Sequence, residues 1–218
     1  MRTIAQLISL LALQLLRREW DELQDKLASL YIAHTAASGA AKPPLLAQQL
    51  LISGEDHRFF LHGGVDPIAV CRAIWRGAVL GRPEGASTIE MQIVRIATGR
   101  LERSLGRKLL EMGLATLVTR AIPKEALPSV YLQIGYFGWH MNGFEAACNR
   151  LGVNAATMSP EQTAGLVARL KYPQPSGARP GRWEQIGTRA QHLVQLHSQH
   201  SHDNTYRGLL AQSTYETI

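Results

Sequence analysis

A chain of 218 residues with 45% hydrophobic content can bury a sizeable core in one domain, which excludes a wholly disordered protein. Its formal net charge of +6 and pI of about 9.6 favour phosphates, acidic polymers or anionic surfaces as partners. Arginine far outnumbers lysine, and its planar fork suits phosphate oxygens.

The N-terminal run from Ile4 to Leu16, IAQLISLLALQLL, lies between Arg2 and the pair Arg17 and Arg18. It is shorter than the ~20 apolar residues that span a bilayer, and Gln6, Ser9 and Gln14 interrupt it. No small-residue cleavage site follows it. The pattern predicts a membrane-proximal helix, lying on a membrane surface or packed on the domain. Leu23, Leu27, Leu30 and Ile32 continue the helical spacing, so residues 1–35 read as helical. Ala37 to Pro44 is a linker by composition. Residues 1–44 are thus expected as N-terminal helix and linker, 45–200 as the main domain and 201–218 as a tail.

From Leu45 onward helical patterns dominate: Leu45–Ser53, Pro67–Leu80, Thr88–Thr98, Leu105–Arg120, Lys124–Gln133, Gly143–Arg150, Ser159–Leu170 and Trp183–Gln199. Ser159 followed by Pro160 and Glu161 is a helix start. No alternating β-branched run argues for a sheet, so the fold class is mainly α. Cys71 and Cys148 match no metal or redox spacing and are expected as buried, unpaired thiols. His192, His197, His200 and His202 are irregularly spaced and read as a solvated tail rather than a metal site. The last dozen residues are expected to fray.

Four stretches carry chemistry. The first runs from Glu55 and Asp56 through Phe59, Phe60 and His62 to Gly63 and Gly64. A carboxylate beside apolar rings has its ionised form disfavoured, which suits a general acid or base near neutral pH. The second runs from Gly85 through Ser87 and Thr88 to Gln92 and Arg95. Ser87 or Thr88 can cap the helix that follows, and a helix start suits a phosphate or sugar hydroxyl. In the third, Arg103, Arg107 and Glu111 fall on one helical stripe, with Lys108 turned aside. That spacing fits either a surface ion-pair ladder or a guanidinium cluster gripping a diphosphate. In the fourth, Lys124 to Gly138 leads a helix into a loop of glycines and aromatics, Trp139 to Asn142, and a further helix from Gly143. Such a loop suits a sugar or lipid groove, or plain helix packing.

In their order and spacing these stretches resemble the family 51 glycosyltransferases, the peptidoglycan polymerases also called bacterial transglycosylases. Glu55, Asp56, Phe59, His62 and Gly64 match that family's Glu-Asp-x-x-Phe-x-x-His-x-Gly. Gly85, Ser87, Thr88, Ile89 and Gln92 match Gly-x-Ser-Thr-Ile-x-x-Gln, and Arg103, Arg107, Lys108 and Glu111 match Arg-x-x-x-Arg-Lys-x-x-Glu. The stretch from Lys124 through Tyr131 and Leu132 to Gly138 is similar to its fourth motif. The resemblance covers Leu45 to Ser176. It implies a mainly α, lysozyme-like glycosyltransferase domain behind the N-terminal helix, and a chain that polymerises lipid II on a nascent glycan strand. It makes Glu55 the base that deprotonates the acceptor hydroxyl and Glu111 an organiser of the basic residues or a metal contact. Arg95, Arg103, Arg107 and Lys108 would face the diphosphate, with Asp56, Phe59, His62, Gly85, Ser87, Thr88 and Gln92 completing the substrate site.

The resemblance requires no certain cofactor and leaves room for a divalent cation, Mg or Mn. It implies a membrane surface and other wall-building proteins as partners, no nucleic acid, and a catalytic domain on the outer, periplasmic side of the inner membrane. Four positions depart from the family pattern: Glu90, Met91 in place of Gln, Arg95 in place of Lys, and Gln133 in place of Asn. Glu90 is expected to set a negative charge near the anion site. No Ser-x-x-Lys or Lys-Thr-Gly pattern is present, so no fused transpeptidase is expected. Two other readings fit the same residues: a lytic muramidase of related fold with Glu55 as acid, and an inactive lipid II or glycan-binding scaffold.

Overall fold

Helix signals set the architecture. In the computed structural model, which describes residues 2–37, 42–81, 85–102, 104–177 and 179–209, α-helices carry most of the chain. The chain forms two compact units: residues 1–29 with 58–124, and residues 30–57 with 125–218.

The first unit holds α1 (Arg2–Leu15), most of α2 (Arg17–Ala36), a 3₁₀ turn at Phe59–Leu61, α4 (Pro67–Leu80), α5 (Ile89–Thr98) and α6 (Leu105–Ala115). Its core gathers Trp20, Leu23, Leu27, Phe59, Met91, Ile93, Leu114 and Val118, and α5 packs on α6. Helices α4, α5 and α6 each start on a polar cap. Asp66 accepts from the Ile68 amide ahead of α4, Thr88 from Met91 ahead of α5 and Ser104 from Arg107 ahead of α6. Gly81 and Gly99 close α4 and α5 in the left-handed region.

The helix expected over Leu105–Arg120 stops at Ala115 and gives way to a 3₁₀ turn at Val118–Arg120. The Thr116 hydroxyl donates to the Gly113 carbonyl and the Leu117 amide to the Leu114 carbonyl, which tightens the last turn. Gly64 sits against that end at φ +103, and a Cβ there would collide with the Ala115 carbonyl. The bend and the glycine seat the loop after Phe59 on α6.

The second unit holds α3 (Leu45–Glu55), α7 (Leu127–Ile134), β1 (Tyr136–Gly138), β2 (Met141–Asn142), α8 (Phe144–Leu151), α9 (Pro160–Lys171) and α10 (Pro180–His202). Helices α9 and α10 pack on each other and on α3 around Leu50, Leu51, Ile52, Leu166, Ile186 and Leu193. The Ser159–Gln162 capping box opens α9. Strands β1 and β2 pair antiparallel. They are too short to show alternation, which is why the sequence gives no sheet signal. Gly138, at φ +138, lets the hairpin lie against the Gln174 backbone.

Two expectations are corrected. Cys148 is buried, with burial and then Glu145 pushing its thiol up to about 11, but Cys71 is exposed because α4 has no buried residue. Both are free. Two of the four histidines are not solvated: α10 runs to His202, His197 meets Gln49 Oε1 at 3.0 Å and stacks on Tyr206, and His200 stacks on His57, whereas His192 and His202 are exposed. Tyr206 and Leu209 are buried beyond the helix end. Of the expected linker, residues 38–41 lie outside the described residues, as do residues 210–218 of the expected frayed end.

Candidate active site

In the first unit, α5 and α6 bring charged side chains of the second and third stretches together. Arg95, in the last turn of α5, donates from Nε and Nη2 to the two Glu111 oxygens at 2.8 and 3.1 Å. Arg107, one turn before Glu111 on α6, donates to the same Oε1. The Glu111 side chain is 3% exposed. A bidentate guanidinium and a second arginine hold it in one orientation. Both Glu111 oxygens are thereby engaged by guanidinium groups.

Lys108 turns away from Glu111 and donates to Ser87 Oγ at 2.7 Å. Partial burial, then Arg95 and Arg107, draw its pKa below the ordinary lysine value, and Glu111 opposes them. One carboxylate faces three cations here, which leaves a surplus of positive charge beside a helix start. The Arg107 Nε is buried without a partner among the described residues. Such a group suits an oxyanion brought by a ligand. Arg103 lies outside the described residues.

Thr88 is buried and does two things: its hydroxyl donates to the Gly64 carbonyl at 2.6 Å and accepts from the Met91 amide. It therefore ties the first stretch to the second. Gln92 is half-buried on α5, and Gly85 is exposed, with open space where a Cβ would stand. Phe59 is fully buried edge-on to Phe60, with His62 also edge-on at 6.3 Å. Lys124 Nζ sits 4.0 Å from the Phe59 ring centroid, donates to the His62 carbonyl and pairs with Glu90. Glu90 is wholly buried. Its Oε1 pairs with Lys124, the conjunction that offsets the negative charge expected near the anion site.

In the second unit, Glu55 is the last residue of α3 and Asp56 is its buried C-cap. The Glu55 side chain is 24% exposed and its Oε1 lies 3.2 Å from Arg189 Nη2. Arg189 belongs to none of the four stretches. The sequence does hold a faint sign of it: Ile186, Arg189 and Leu193 share one helix face, so a cation stands on an apolar stripe. In the fourth stretch Gln133 Oε1 meets His34 Nδ1 at 3.2 Å. Trp139 and Tyr136 are exposed on the hairpin, with Arg150 4.5 Å from the Trp139 ring centroid.

Residues 24–197 match the family described as Transglycosylase. A biosynthetic peptidoglycan transglycosylase of Rhodospirillum centenum is 36% identical over 136 residues, 62% of this chain and 58% of its own length. A protein of the same name from Rhizobium meliloti is 37% identical over 142 residues, 64% of this chain and 59% of its own. Penicillin-binding protein 1C of Escherichia coli is 32% identical over 149 residues, 67% of this chain and 19% of its own. The chain thus spans less than two thirds of the length of these relatives.

Proposed function

The chain belongs to the Transglycosylase family, and on that footing we propose that it polymerises lipid II into β-1,4-linked glycan with release of undecaprenyl diphosphate. Glu55 takes the proton of the acceptor 4-hydroxyl. The oxygen attacks the anomeric carbon of the donor chain, the α-linked diphosphate leaves, and the centre inverts. A positioned base contributes about 10²–10⁴-fold. The leaving group departs as an anion and needs charge rather than a proton. Arg95, Arg107 and Lys108 supply it, the family motif assigns Arg103 the same task, and Glu111 keeps Arg95 and Arg107 aligned.

The observation that carries this reading is the surplus of cations around Glu111 with Lys108 presented at Ser87. A muramidase expels a sugar hydroxyl and has no use for such a group. By their place in the family motifs, Asp56, Phe59, His62 and Gln92 are assigned to substrate binding in this proposal.

We place the enzyme at the outer, periplasmic face of the inner membrane. No described helix is long and apolar enough to cross a membrane. However, α4 presents Ile68, Ile74, Trp75 and Val79 to solvent beside Arg72 and Arg76, and α1 presents Leu7, Leu10, Leu11 and Leu15. Exposed apolar side chains beside basic residues suit the interface of an anionic bilayer. One experiment tests both parts. Incubated with anionic liposomes that carry lipid II, the chain floats with them and forms polymer, and Glu55→Gln floats but forms none. Polymer from Glu55→Gln removes the base assignment, and an unbound but active chain removes the membrane assignment.

A further inference from the structure

Arg189 lies on α10, far along the chain from Glu55 and in the same unit. Its Nη2 donates to the Gly54 carbonyl at 2.6 Å and to Glu55 Oε1 at 3.2 Å, and the residue is 9% exposed. We propose that Arg189 is a positioning residue for Glu55: anchored on the Gly54 carbonyl, its guanidinium holds the Glu55 carboxylate in the orientation that takes the acceptor proton. The inference rests on the reading of Glu55 as the base.

Three features carry it. One nitrogen reaches both a backbone carbonyl and the carboxylate, so the carboxylate oxygen is fixed relative to the end of α3 and not to a mobile side chain. The helices are fitted for this approach. A Cβ at Gly54 would stand 2.8 Å from Arg189 Nη2 and would collide with Leu193 Cδ2. The cation is also buried on an apolar stripe, where leucine would pack at lower cost unless the charge had a task. A base displaced by about 1 Å loses about 10²-fold in rate, so a clamp at this point acts on turnover.

The test uses the full chain with lipid II and follows kcat, KM and melting temperature together. Arg189→Met lowers kcat about 10²-fold with KM changed less than about threefold, and Arg189→Lys recovers about tenfold of that loss, because a cation remains with poorer geometry. Leu193→Ala loosens the same helix contact without touching the charge. It lowers the melting temperature and leaves kcat within about twofold of the parent. The proposal is overturned if Arg189→Met keeps kcat within about twofold, or if Leu193→Ala loses as much kcat as Arg189→Met at equal loss of stability. Should Arg189→Met fail to fold, Arg189→Lys decides. A kcat about tenfold down at the parent melting temperature supports positioning, and an unchanged kcat overturns it. An active Glu55→Gln removes the base reading itself, whereas an inactive Glu55→Gln beside a fully active Arg189→Met removes only the role of Arg189.

Discussion

Glu111 and Glu55 are both carboxylates held by arginine, and they are held in opposite ways. Glu111 is 3% exposed and takes guanidinium groups on both oxygens, one from Arg107 a single turn away and one from Arg95 on the helix before. Glu55 is 24% exposed, and the arginine that meets it comes from 134 residues along the chain. The first arrangement immobilises a carboxylate whose charge is outnumbered. The second meets a carboxylate that stays partly open to solvent. Burial thus separates two carboxylates of the same residue type.

Within the Glu111 group the largest expected effect falls on the cation that donates to Ser87 instead of Glu111. Lys108→Ala lowers kcat in lipid II polymerisation about 10³-fold, close to 4 kcal/mol of transition-state stabilisation, with the melting temperature nearly unchanged. A loss of stability without a loss of rate would make Lys108 a packing residue. Next comes Glu111→Gln, which leaves two arginines facing a neutral group and destabilises the chain by about 3 kcal/mol in urea unfolding. Glu55→Gln, by contrast, shifts the same unfolding curve little, since the carboxylate is partly solvated. Equal shifts in the two variants would erase the distinction drawn between them.

The smallest effect is a pH dependence in the second unit. Burial holds His197 and His200 below the ordinary imidazole value, with His57 adding to it at His200 and Asp203 opposing. The unfolded chain therefore binds more protons than the folded one below about pH 6.5, and stability falls there. The melting temperature is expected to hold steady above pH 7 and to decline as the pH drops from about 6.5 through the folded values. His200→Gln flattens that decline. Asp66 acts in a lower window. Burial pushes its pKa up, but the Ala69 and Ile68 amides and Arg58 outweigh it and hold it down, so its contribution persists until the pH falls below about 3.9. A decline confined to that lower window would take the histidines out of the account.

The amino-acid sequence by itself determined the helices and the local chemistry. Pro67–Leu80 is a helix over the same residues that the pattern predicts, because Asp66, Pro67 and Gly81 are short-range signals that act through the backbone. The Arg107–Glu111 pair was legible for the same reason, one helical turn being a fixed distance. Tertiary structure decided what spacing cannot encode: that α6 stops at Ala115 where the Gly64 loop packs, that Glu90 pairs with Lys124, that His197 and His200 of α10 stack on Tyr206 and His57, and that Arg189 reaches Glu55. Each of these depends on which helix faces lie together. That is set by burial of apolar area over the whole unit, a non-directional force that leaves little trace in any short window of sequence.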